Sequence, residues 1–331
     1  MSSEKALKMQ LHLLLLLGAT GYVPSATRLH WPTRTARARP AESLASDWVE
    51  SGGNELGLLP FSLEEALLPG ETKQVHLFEA RFIQLFSESA AKHHDCLGAL
   101  YFAPGNNVLS VTSLLEVEEF QKKEFGVWAR LKCVGRVRIQ ELEKTEFDYV
   151  QAQVEIYNDD DADDDDRDDK VDAEVMELHS SILSMQERLT DQLTADGSDG
   201  SAASEEEQVE WGHEVRDPEG VERGLSLPKL VENRRDVLLS RGPDAAPRAS
   251  LLEGLERVWA VPSEAVAEQT LLSFAASATL SPLARAQALE MRNGQERLAS
   301  AMTELRERQK RLSAMLMLRT AGLSTDDKVE E

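Results

Sequence analysis

Two hydrophobic periods divide the chain. Between Gly57 and Ile156 apolar residues tend to recur at every second position, and from Val171 onward they recur at every third and fourth. The sharpest alternation places Val127, Ala129, Leu131, Cys133, Gly135, Val137 and Ile139 on one face and Trp128, Arg130, Lys132, Arg136 and Arg138 on the other. Val150, Ala152, Val154 and Ile156 alternate with Gln151, Gln153 and Glu155, as Val75 and Leu77 do with Gln74 and His76. Such runs predict half-buried antiparallel strands with one core face and one wet face. From Phe78 to Phe86 the period changes: Phe78, Phe82, Leu85 and Phe86 fall at helical spacing and predict a short helix between strands.

In the second half, Val175, Leu178, Ile182, Met185 and Leu189 predict a helix that stops at Gly197. Ser281 before Pro282 is a helix start, because the serine oxygen can accept from the first-turn amides and proline suits position N1. Asn293 with Glu296 makes a similar start, after which Leu298, Met302, Leu305, Leu312 and Leu316 line one face, interrupted only by Gln309. The two long seams can pair with each other or with a second copy, the intramolecular pairing being the simpler. The pattern predicts an α+β chain, a small antiparallel β pseudo-barrel over 57–157 and a helical region over 171–331. Between them lies an acidic linker, 158–170, with nine aspartates in the eleven positions from Asp159 to Asp169. These like charges repel and predict a solvated segment. They lack the Asp-x-Asp-x-Asp-Gly spacing of a calcium loop. A polar insert near 197–207 reads as flexible, and 208–248 is charged and irregular.

Charge narrows the function. The 331 residues hold 36 basic and 59 acidic side chains, a net charge of −23, which disfavours nucleic acid and anionic lipid as partners. Two cysteines, Cys96 and Cys133, cannot build a disulfide scaffold or a zinc ribbon. No mature segment is apolar for long enough to insert in a membrane. At the amino end, Lys5 and Lys8 precede the apolar run 11–17 and the small residues Ala19 to Gly21, a signal-peptide pattern over 1–21. From Tyr22 to Pro40 there are four arginines and no acid, so 22–55 reads as a transit-peptide-like segment. The tandem order resembles bipartite plastid presequences, and predicts a plastid location, with a secreted or mitochondrial protein as the alternative.

Candidate chemistry is sparse. His93-His94-Asp95-Cys96 places four potential ligands in a row, but adjacent side chains do not converge on one tetrahedral ion, so a loop is expected. Cys133 alternates with core residues and reads as a small buried hydrophobe. The cations Arg130, Lys132, Arg136 and Arg138 form either a solvated outer face, or a surface docked on the acidic linker, or, against the net charge, a phosphate contact for RNA.

A set of short motifs, in order, resembles the N-terminal substrate-binding domain of Lon proteases. It comprises Leu59-Pro60-Phe61-Ser62-Leu63, Leu67-Leu68-Pro69-Gly70-Glu71, Leu77-Phe78-Glu79-Ala80-Arg81-Phe82, the strand around Gly135 and Arg138, and Tyr149 to Val154. Ser62 and Ala80 stand where that family has proline, and a glycine is missing before Thr112. The segments 271–276, 289–291 and 296–298 resemble the helices that follow the family's barrel. The resemblance implies a PUA-like barrel in which Leu59, Pro60, Phe61, Pro69, Gly70, Glu71, Phe78, Glu79, Arg81, Phe82, Gly135 and Arg138 are chiefly structural. It also implies binding of unfolded or partly folded polypeptide, with a plastid protease as a candidate partner. A P-loop is absent, since no Gly-Lys dipeptide occurs, and so are the paired Cys-x-x-Cys motifs of cereblon-like relatives. The expectation is a non-enzymatic binding or adaptor protein without cofactor, metal or catalytic residues, or alternatively a scaffold with one dedicated partner.

Overall fold

In a computed structural model the described residues are 44–103, 107–160, 169–195, 216–217, 220–221, 226–239, 259–261 and 263–320. The presequence expectations over residues 1–43, and the polar insert 197–207, lie outside the described residues. The chain divides into two units, 1–160 with 235–262, and 161–234 with 263–331.

The first unit opens with helix α1 (Leu44–Glu50) and continues through β1 (Glu55–Ser62), a single 3-10 turn (Leu63–Glu65), β2 (Thr72–Leu77), α2 (Ala80–Lys92), β3 (Cys96–Ala103), β4 (Asn107–Val108), β5 (Val111–Lys122), β6 (Val127–Lys144) and β7 (Val150–Ile156). Around the sheet the order is β1-β7-β6-β5-β3-β4, with β2 added on β6 and β1 also paired to β3. That last pairing, Leu58 opposite Gly98 through Ser62 opposite Phe102, closes the sheet on itself. It is parallel, whereas every other pairing of the barrel is antiparallel. Both strands carry continuous apolar runs rather than alternation, as strands buried on both faces do.

Helix α1 lies within the stretch assigned from sequence to the transit-like segment 22–55. Ala45 and Ser46 are buried and Trp48 is 1% exposed, so the packed structure begins at or before residue 45. Burial of the indole contributes on the order of 3 kcal/mol. The expected helix near Phe78 starts at Ala80 and turns Leu85, Phe86 and Ser89 inward, which leaves Phe78 outside it and exposed.

The second unit is helical: α3 (Asp169–Ala195), the greater part of α4 (Leu227–Leu239), whose residues from 235 count with the first unit, α5 (Glu264–Ala278), α6 (Pro282–Glu290) and α7 (Gly294–Thr320), with a two-residue pairing of Arg216–Asp217 to Gly220–Val221. The predicted caps are present. Ser281 Oγ accepts from Ala284 N at 3.5 Å, and Asn293 Oδ1 accepts from Gln295 N at 2.8 Å and Glu296 N at 3.1 Å. The seams of α3 and α7 meet within the chain, burying Val175, Leu178, Ile182 and Leu189 with Leu298, Met302, Leu305, Leu312 and Leu316. Contacts Glu174–Arg306, Ser181–Gln309 and Met185–Ser313 advance together, so the two helices run in the same direction. Gln309, the polar break in the stripe, donates to Ser181 Oγ at 2.9 Å, a half-buried polar pair of the sort that fixes register.

Candidate functional site

The turn before β2 is built as its residues dictate. Pro69 and Gly70 occupy its centre, Gly70 at φ +85°, and Glu71 N donates back to Leu68 O at 3.0 Å, the geometry of a type II turn. Glu71 is fixed by its own side chain, whose Oε2 accepts from Leu68 N at 2.7 Å. Ser62, in place of the family's proline, joins Glu65 across the 3-10 turn through both its amide, at 3.1 Å, and its hydroxyl, at 3.2 Å. Leu59 and Phe61 are core residues, and Pro60 sits between them half-buried. The Tyr101 hydroxyl accepts from Leu67 N at 2.8 Å and hydrogen-bonds Ser113 Oγ at 2.8 Å, pinning the loop into the barrel. At the start of α2, Arg81 Nε donates to Glu79 at 2.8 Å and its guanidinium lies 4.6 Å from the Phe82 ring centre.

Strand β6 departs from its predicted alternation in the middle. From Leu131 to Val137 every residue is buried, including Lys132 and Arg136 on the side expected to be wet. Four features cover that side. Lys132 pairs with Glu116 at 3.5 Å, and the same carboxylate accepts from Ala45 N of α1 at 3.0 Å. Trp259 Nε1 donates to Val134 O at 2.8 Å. Tyr157 lies under two guanidinium groups, Arg136 at 5.2 Å and Arg138 at 4.5 Å. Arg136 also pairs with Asp159, the first member of the acidic run, which is therefore anchored and not wholly solvated. The outer cations are paired too: Arg138 with Glu155 at 3.5 Å, and Arg130 with Glu118 at 2.8 Å and Glu119 at 3.0 Å. A register shift between Val117 and Glu119 brings both of those carboxylates to one arginine. Gly135 is buried opposite Leu114, next to another register shift.

The ligand-like run folds as a turn. His94 and Asp95 adopt left-handed backbone, at φ 51° and 59°, and Cys96 N donates to His93 O at 2.8 Å. No group of three or more His, Cys, Asp or Glu among the described residues is arranged to hold a metal ion. Cys96 is fully buried, and burial, joined by Glu116 and Asp95, pushes its thiol well up. Cys133 is buried at hydrogen-bonding distance from Leu67 O and Gly135 O.

At the other end of β6 the outward side stays open. His76 on β2 faces Trp128 on β6, and their rings stack at 4.7 Å with planes 5° apart. The Phe78 ring lies 5.8 Å from His76. His76 Nε2 also meets the carbonyl of Phe125, in the β5–β6 hairpin, at 2.7 Å. The hairpin approaches the end of β2 closely enough that a Cβ on Gly126 would lie 2.2 Å from Leu77 O, and Gly126 has φ +91°. Only glycine suits that position. Three large apolar side chains are thereby displayed at one place: Phe78 is 67% exposed, Phe125 75% and Trp128 37%. Single exposed aromatics are ordinary, but a cluster of them marks a surface built for contact. Sequence reading had assigned Phe78 a structural role and Trp128 to an outer face, and gave Phe125 no role. The signal that joins them is a long-range register, His76 opposite Trp128.

Residues 57–219 match the family model described as the ATP-dependent protease La (LON) substrate-binding domain. None of the curated proteins matches the chain. Among solved structures, a Lon N-terminal domain protein from Xanthomonas campestris is 24% identical, with 34% of this chain and 66% of that one covered and a TM-score of 0.28. The N-terminal domain of Mycobacterium avium complex Lon protease is 12% identical, with 76% and 97% covered and a TM-score of 0.40. Residues 57–219, just under half of the chain, are thus similar to the Lon substrate-binding domain.

Proposed function

We propose that this protein binds exposed apolar segments of unfolded or partly folded polypeptide, without catalysing a reaction, and that it serves protein quality control in a plastid. The observation that carries the reading is the aromatic cluster of His76, Phe78, Phe125 and Trp128, held open at the end of the barrel. The substrate-binding character of the matched family supports it, and the tandem presequence pattern supports the plastid. A plastid protease that receives the bound chains is the partner this role calls for. The pairing of Arg130, Lys132, Arg136 and Arg138 with carboxylates argues against RNA, because phosphates would have to displace ion pairs already made.

Titration of a fluorescently labelled, permanently unfolded client tests the reading. Weak binding is expected that survives near-molar salt, since salt screens exposed charges and not apolar burial. The double variant Phe125→Ser with Trp128→Ser should bind about tenfold to a hundredfold more weakly, with its unfolding midpoint nearly unchanged, because both side chains are solvent-exposed. Affinity abolished by salt, or equal affinity in the variant, would sink the aromatic site.

A further inference from the structure

The aromatic cluster stands at the end of a strand whose outer edge carries no strand partner among the described residues. β2 pairs with β6 alone, from Thr72 opposite Lys132 to Leu77 opposite Val127, without a register break. Two hydrogen bonds fix which of its backbone groups face that edge. Cys133 N donates to Glu71 O at 2.8 Å, so residue 71 turns its carbonyl toward β6. Alternation then turns Lys73, Val75 and Leu77 the same way and directs the amides and carbonyls of Thr72, Gln74 and His76 away from β6. On the opposite side of β6, Lys123 N donates to Gly126 O at 3.0 Å across the hairpin, which commits residues 126, 128 and 130 to β5 and leaves 127, 129 and 131 for β2. The two observations give the same parity.

We infer that the β2 edge is the seat of an extended client segment, which adds as a strand along Thr72, Gln74 and His76 and lays an apolar side chain against Trp128, Phe78 and Phe125. This inference rests on the polypeptide-binding reading and specifies its mode. Backbone pairing is blind to client sequence, which fits a protein whose clients share only the lack of a fold, and the aromatic end supplies the apolar preference. The edge lacks the devices that normally blunt one. It has no proline, and its single charged side chain, Lys73, is engaged by Glu65 at 2.9 Å. A second copy of this chain is the poorer occupant, since two bodies each of net charge −23 repel.

The test uses the full chain and two probes: the labelled unfolded client, and a ten-residue peptide of alternating valine and threonine with a central phenylalanine and two terminal lysines. The peptide is made unmodified, N-methylated at its odd residues, and N-methylated at its even residues. N-methylation removes backbone donors on one edge of the peptide strand and leaves its side chains intact. One methylated series should lose at least tenfold in affinity while the other stays within about threefold of the parent. On the protein side, Gln74→Pro deletes an outward-facing amide and should lose at least tenfold for peptide and client, whereas Gln74→Ala should bind like the wild type. Should Gln74→Pro fail to fold, by its unfolding midpoint, the peptide series decides alone. Equal affinity for both methylated series, loss in both, no binding of the parent peptide beside intact client binding, or unchanged binding by folded Gln74→Pro overturns edge pairing. A concentration-dependent dimer dissolved by Gln74→Pro would assign the edge to a second copy and overturn it as well. If the unfolded client itself fails to bind, the broader reading falls with it. Client binding lost in the Phe125→Ser, Trp128→Ser double variant without N-methyl sensitivity leaves the aromatic site standing and removes only the edge.

Discussion

The two halves of β6 obey one alternation and end in opposite environments. At its start, the outward residue Trp128 stays 37% exposed beside His76 and an open edge strand. A few residues on, the outward residues Lys132 and Arg136 are 6% and 5% exposed, covered by α1, Trp259, Tyr157 and Asp159. The difference teaches that a period of two says which residues share a face and nothing about what lies over it. Charge was kept where the face is covered and aromatic surface where it is open. Desolvated cations demand counter-charges within reach, and Glu116 and Asp159 supply them. An exposed aromatic demands nothing, so its display is tolerated only where contact repays it.

The covered half can be broken most severely at Glu116. Its carboxylate serves both Lys132 and the amide of Ala45, and the pair is nearly solvent-free, with side chains 4% and 7% exposed. Glu116→Gln keeps the shape and strands a buried ammonium, so a loss of about 3–5 kcal/mol is expected by urea unfolding. Combining it with Lys132→Met should recover a large part of that loss, because the uncompensated charge is gone. A single-variant cost under about 1 kcal/mol would mean that the middle of β6 is wetter than its burial implies.

The helical unit shows a buried titratable group with no opposite charge to offset it among the described residues, and sharpens the same contrast. His179 on α3 is 4% exposed, its Nδ1 has no hydrogen-bond partner among the described residues, and its pKa is held down to about 4 by burial and then by the Arg308 charge. Arg308 is engaged elsewhere, donating to Thr279 O at 2.9 Å. Between about pH 6.5 and pH 4 the unfolded chain takes a proton on this histidine that the folded chain refuses, so stability falls as pH falls through that window. The loss is of order 3 kcal/mol at its acid limit. His179→Gln should flatten that acid limb, seen as a smaller drop in unfolding midpoint from pH 7 to pH 4.5. An unchanged slope would place the acid sensitivity in other groups.

Much of this was legible in the sequence, and the gaps have physical causes. Strands β2, the core face of β6 and β7 announced themselves because one face is buried and the other polar, and the α3 and α7 seams because each repeats at three and four. β1 and β3 did not alternate because both of their faces are covered. The coverage of β6 left one trace: Val134, apolar between Lys132 and Arg136 on the side expected to be wet, is buried at 3% exposure where Trp259 bonds its carbonyl. Helix α4 was hidden in a charged stretch in which Leu227 and Leu230 are the buried apolar residues and the arginine Arg234 is buried with them. The aromatic cluster was invisible for a different reason. Its members come from β2, the segment after it and a hairpin some fifty residues on, and only tertiary register brings them together.

The smallest effect is expected at Arg138, the outermost cation of the same strand, and it sets the scale for the others. Its partner Glu155 lies at 3.5 Å, and the two side chains are 42% and 52% exposed. An ion pair so placed gains little over water, loses side-chain entropy and is screened by salt, so its net contribution is about 0–1 kcal/mol. The guanidinium also rests 4.5 Å from the Tyr157 ring, a contact that contributes only about 0.5 kcal/mol at so exposed a site. Arg138→Ala should therefore cost under about 1 kcal/mol in urea, with the deficit shrinking at high salt, and should leave client binding untouched. A cost near that of Glu116→Gln would mean that the covered region of β6 extends one outward residue further than Arg136, and that the boundary between its wet and dry stretches lies beyond Ile139.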